Sequence, residues 1–166
     1  MKNTPHSEPL RLADLPCDSF EEALLPIIRR LVRTLQTNDA AGYCRANDRA
    51  VEQWGDPMGL SIAHLLRKLV SELAKCRGSP LECFYPKDRA ELHYISHDEY
   101  NLLTMLYHMR RNETAYVHYL TEELTHGKVG SKAVKAGWTF AKRYSAGAIS
   151  SENHGSSNAK LRVVRQ

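Results

Sequence analysis

The chain has 166 residues, a formal net charge of +4, 42% hydrophobic residues and 25% charged residues. These proportions are ordinary for a globular protein, and the length suits one domain burying roughly 70% of its unfolded surface. They leave no need for a disulfide scaffold, and no run of 18 apolar residues offers a membrane span.

The cysteines Cys17, Cys44, Cys76 and Cys83 form no C-x-x-C pair, and the nearest two are seven positions apart. Four reduced thiols are expected. The opening stretch MKNTPHSEPLRLADLP lacks the apolar run of a secretory signal, so cytoplasm is the expected compartment.

Residues 1–17 hold three prolines among mixed polar residues and read as a flexible arm. Helix signals begin at Ser19. Ser19 and Glu22 have the spacing of a capping box, in which each side chain satisfies a free amide of the first turn. Behind it, Phe20, Leu24, Ile27, Ile28, Leu31 and Leu35 recur at helical spacing, ending near Thr37. Arg29, Arg30 and Arg33 fall mostly off that stripe. Asn38 or Asp39 caps a second helix running to about Trp54, with Gly55 as its left-handed stop. Asp56-Pro57 reads as the cap and first residue of a third helix. Ile62, Leu65, Leu66, Leu69, Val70 and Leu73 form its apolar stripe, and Gly78 and Pro80 end it.

The next segment changes character. Leu81–Tyr85 and Leu92–Ile95 are short, aromatic and partly alternating, and they predict a small inserted β-hairpin lying on the helices. Ser96 caps a fourth helix with Asp98 and Glu99 in its first turn, where negative charge suits the helix dipole. Tyr100, Leu103, Leu106 and Tyr107 are its expected buried face. Arg110-Arg111-Asn112-Glu113 breaks the pattern, and Asn112 caps a fifth helix carrying Tyr116, Tyr119, Leu120 and Leu124. A last helix spans Ser131 to about Tyr144, and residues 149–166 read as a flexible basic tail. The expected fold is mainly α: one helical domain over 18–148, a bundle of about six helices with the hairpin inserted. Leu24, Ile28, Leu31, Leu65, Leu69, Leu73, Leu103, Leu106, Tyr107, Leu120 and Leu124 are its expected core.

Charge divides the chain. Residues 128–166 carry a balance of +7, with Glu152 their one acid, whereas residues 1–127 carry −3. On the last helix, Lys132, Lys135, Lys142 and Arg143 fall within an arc of roughly 100°. Ala133, Val134, Trp138, Phe140, Ala141 and Tyr144 occupy the rest of the circumference. A basic face beside aromatics suits phosphate contact with base stacking, and Trp138 and Tyr144 are the stacking candidates. It would equally suit an anionic membrane surface or an acidic protein, and a docked helix with solvated lysines has the same pattern. Arg29, Arg30 and Arg33 would enlarge the patch if the chain ends meet.

Other chemistry has less behind it. A DNA-reading helix-turn-helix at 97–126 would need cations early in its second helix, yet no Lys or Arg lies between Asn112 and Lys128. His93 and His97 are split between a strand and a cap. Glu123 and His126 give one Glu-x-x-His where a di-iron bundle needs two. No nucleophile-elbow, P-loop or dinucleotide glycine pattern occurs, so no enzyme, metal or cofactor is expected. Cys76 lies between Lys75 and Arg77, but the negative end of its helix opposes activation of the thiol. Six of the eight tyrosines lie between positions 85 and 119. Helical spacing makes most of them core or rim groups, and lining a pocket is the other outcome.

The expected function is therefore a small non-enzymatic regulatory or adaptor protein. It would contact a polyanion such as nucleic acid, or an acidic protein, through Lys132, Lys135, Lys142, Arg143, Lys160, Arg162 and Arg165. The alternative is a helical protein–protein interaction module or homo-oligomer that binds no nucleic acid.

Overall fold

The computed structural model describes residues 10–148. Six helices pack together beside a two-stranded antiparallel sheet, the mainly helical class the periodicity predicts.

The first helix, α1, spans Ser19–Thr37. Its cap lies one residue upstream of the expected one: the Asp18 carboxylate accepts from the amides of Phe20 and Glu21 at 3.0 Å, and Glu21 accepts from the Asp18 amide at 2.8 Å. Both D-x-x-E and S-x-x-E are present here, and the box that forms is the one whose glutamate is needed in the interior. Glu21 is fully buried, whereas Glu22 is exposed.

Helix α2 spans Ala41–Trp54. Asn38 does not cap it; it ends α1 in the left-handed region at φ 51°, while Asp39 accepts from the Ala41 amide at 3.0 Å. Gly55, at φ 79°, turns the chain directly into α3, Asp56–Arg77, with Pro57 in its first turn. Helices α2 and α3 lie close because Gly59 has no side chain: a Cβ there would stand 2.4 Å from the Ala50 carbonyl oxygen.

The expected hairpin partner is corrected. Residues 81–85 form no strand; β2, Tyr94–Ile95, pairs instead with β1, Leu10–Arg11, in the register Leu10 to Ile95. Side chains take the backbone bonds of the 81–82 segment. Gln36 donates to the Leu81 carbonyl at 3.1 Å, Ser96 Oγ donates to the Glu82 carbonyl at 2.6 Å, and the Glu82 amide donates to Asp98 at 2.7 Å. Residues 10–15, which the sequence places in the arm, thus hold a strand, a 3-10 turn and buried Leu15.

Helix α4, His97–Arg110, carries the expected capping box of Ser96 with Glu99. Helix α5, Val117–Thr125, begins five residues after Asn112, which turns the chain at φ 58° rather than capping a helix. Helix α6, Ser131–Arg143, packs mainly on α3 and α4. Nine of the eleven expected core residues are buried; Leu65 and Tyr107 are half-buried at its edge.

Charged groups also enter the interior. Arg29 Nε meets Glu99 Oε1 at 2.6 Å, and Arg77 meets Asp98 at 2.7 Å. Arg110 and Arg111 share Asp18 and Glu21, and the side chains of Arg110 and Glu21 are both 0% exposed. Water solvates none of these ions fully, so each persists by pairing. Every pair joins α4, or the residue just after it, to α1 with its cap or to α3.

Candidate basic surface and clefts

Helix α6 owes its orientation to its small residues. Ala133, Ala136, Gly137 and Ala141 are buried with Phe140 between them, so the helix backbone sits close to the bundle. A Cβ on Gly137 would stand 2.7 Å from the Met109 sulfur, so the end of that methionine side chain would have to shift to admit one. With that face inward, Lys132, Lys135, Lys142 and Arg143 are all exposed. None of the four makes an ion pair with a carboxylate among the described residues. No acid occurs from 128 to 148 to neutralise them.

Helix α3 widens this face. Glu72 bonds Lys75 at 2.9 Å, and Lys132 and Lys68 add their fields; together they outweigh partial desolvation and hold its carboxyl below the usual carboxylate range. One glutamate therefore lies among three lysines from two helices. Lys128 donates to the Arg77 carbonyl at 2.9 Å, which fixes it to the end of α3.

The aromatic candidates divide. Trp138 is half-buried. Tyr144 is a core residue, 5% exposed, its ring centroid 5.2 Å from that of Phe140 and 5.9 Å from that of Phe20. Its carbonyl accepts from Arg110 Nε at 2.6 Å, so α6 is anchored at its end by a buried guanidinium. The ring has no free face for a base. Lys160, Arg162 and Arg165 lie outside the described residues.

The arginines of α1 do not join this surface. Arg29, Arg30, Arg33 and Arg45 line a separate cleft of about 630 Å³ with Tyr85 and Leu92. Arg29 is committed to Glu99 and Arg45 to Asp39. The Arg33 guanidinium stands 5.5 Å from the centre of the Tyr85 ring, where the ring's negative face attracts it.

The histidines scatter. His93, His97, His118 and His126 are exposed, and His126 ends α5 in the left-handed region. Among the described residues, no three His, Cys, Asp or Glu side chains are grouped to hold a metal, and no helix is long and apolar enough to cross a membrane. Burial, together with the charges of Glu21 and Asp18, pushes the Cys17 thiol up to about 12. Cys76 Sγ lies 3.5 Å from the Val129 carbonyl oxygen.

The buried ion pairs escape a one-dimensional reading. Glu99 and Asp98 look like dipole-compensating residues, and Arg110-Arg111 looks like a polar interruption. Their true partners are 21 to 93 positions away. No family model, curated protein or solved structure matches the chain.

Proposed function

We propose that this protein is a small non-enzymatic regulatory or adaptor protein that contacts a polyanion, nucleic acid foremost, through the basic face of α6 and its margin on α3. One observation carries the reading. Lys132, Lys135, Lys142 and Arg143 share an exposed face and have no carboxylate partner among the described residues, with Lys68 and Lys75 adjoining. Unneutralised cations in a row favour a partner that brings phosphates, because binding then releases condensed counterions.

With Tyr144 buried, contact relies on charge and on the accessible part of Trp138. Binding of this kind tracks the backbone and reads little sequence. The alternative, an interaction module without nucleic acid, needs a continuous apolar face. The large exposed apolar groups Leu60, Tyr85, Leu92, Tyr116, Tyr119 and Val129 are spread over several elements, which favours the charge reading.

Fluorescence anisotropy of labelled single- and double-stranded DNA and RNA across a salt series tests this. Four phosphate contacts predict a slope of log K against log salt of about −3, and Lys135→Glu with Lys142→Glu should bring it to about −1 to −2. Binding that ignores salt, or an unchanged affinity in the double variant, would remove the proposal. Salt-independent self-association on sizing would favour the alternative.

A further inference from the structure

A second cleft, of about 680 Å³, opens between α4, α5 and the segment that follows β1. Its chemistry is opposite to that of α6. Tyr100, Tyr116 and Tyr119 line it, with Leu10, Pro16 and Leu120 supplying apolar surface. Its ionisable lining groups besides the tyrosines are the carboxylates of Asp14 and Glu123 and the imidazoles of His97 and His108, and no Lys or Arg is among the described lining residues. The volume falls in the range of sites for small organic molecules.

Several features distinguish this cleft from an accidental surface dent. Tyr116 and Tyr119 are 61% and 60% exposed, although packing on neighbours would remove their rings from water. One face of Tyr116 is stacked on the His108 imidazole, with ring centroids 4.9 Å apart. His108 Nδ1 lies 2.7 Å from Glu113 Oε2. Thr104 lines the cleft, is 8% exposed, and its hydroxyl has no hydrogen-bond partner among the described residues.

We infer that this cleft binds an organic ammonium ion with an apolar or aromatic body. Aromatic faces attract cations through the ring quadrupole, and carboxylates add net attraction. The carboxylates of Asp14 and Glu123 accept from N–H donors. The same carboxylates repel anions, so the cleft and the α6 face select ligands of opposite charge.

The experiment titrates the full chain, followed by tyrosine ring resonances, with three probes sharing a phenyl body: 2-phenylethylammonium, 2-phenylethanol and 3-phenylpropionate. The ammonium should bind at least about tenfold more tightly than the alcohol, and the carboxylate most weakly. The Tyr116→Ala, Tyr119→Ala double variant should lose at least about tenfold in ammonium affinity, and Glu123→Gln a smaller factor. These side chains are exposed, so the variants should keep their helical circular dichroism. Equal affinity for ammonium and alcohol would overturn the inference. So would undiminished binding in the double variant, or no response of the tyrosines at millimolar ammonium.

Discussion

Replacing Arg110 by alanine tests how the interior is held together. The side chain is 0% exposed. It donates to the Tyr144 carbonyl at 2.6 Å and to both Asp18 oxygens at 3.1 Å, and it pairs with Glu21. Its guanidinium also stands 4.4 Å from the centre of the Phe20 ring. Breaking a buried ion pair costs about 3–5 kcal/mol when the remaining charge is left bare. Here Glu21 keeps Arg111 at 2.6 Å and Asp18 keeps it at 3.1 Å, so that part falls to the low end. The unpaired Tyr144 carbonyl adds about 1–3 kcal/mol. One nitrogen of Arg110 already lacks a partner and has nothing to lose. The expected sum is about 4 kcal/mol, or a melting temperature lower by about 10 °C.

Arg111, at 22% exposure, contacts the same two carboxylates. Because Arg110 would remain, Arg111→Ala should cost only about 1 kcal/mol. Urea unfolding of both variants, followed by far-UV circular dichroism, measures the difference. An Arg111→Ala cost equal to or above that of Arg110→Ala would refute the reasoning.

The remaining predictions address acid, packing and thiols. Burial tends to raise the Asp18 carboxyl, but the Glu21 amide together with Arg110 and Arg111 outweighs it, so the group stays below the usual carboxylate range. A depressed folded value means that its stabilisation is complete above the unfolded value of about 3.9 and is lost as pH falls through the folded one. Asp18→Asn keeps a capping side chain but should flatten this acid limb in a series of unfolding curves; an unaltered limb would assign the sensitivity elsewhere. Gly59→Ala should destabilise by about 1–3 kcal/mol, because its new carbon meets the Ala50 carbonyl and forces α2 from α3; thermal unfolding reads this. Iodoacetamide should label exposed Cys44 first. Cys83, raised by burial and by Glu99, and Cys17, raised to about 12, should resist until the protein unfolds, as peptide mass spectrometry would show.

Local chemistry accounts for what could be read from the sequence. Gly55, Gly78 and the Ser96–Glu99 box act within a few residues, so the limits of α3 and α4 are visible in the string. The same locality explains the one-residue error at Asp18, where two boxes compete and a distant arginine pair decides. Asn112 failed as a cap because asparagine also tolerates positive φ, and there the turn prevailed. The partner of β2 was not legible, since alternation marks a strand without naming its neighbour. The basic face of α6 was legible because it follows from helical spacing alone. The tyrosine-lined cleft was not: Tyr116 and Tyr119 have the spacing of buried residues, and only the placement of α5 against α4 leaves them in solvent.

The ion pairs around α4 have a kinetic meaning. Arg29 with Glu99 and Arg110 with Glu21 join positions 70 and 89 residues apart, whereas α2 and α3 meet across a single glycine. Closing long loops is entropically slow, so the α2–α3 hairpin can consolidate while α1 and α4 are still searching for each other. Links that form after the folding barrier contribute little to the folding rate and much to the unfolding rate. Late formation of these links predicts that Arg29→Ala and Arg110→Ala speed unfolding more than they slow folding, as stopped-flow chevrons would read.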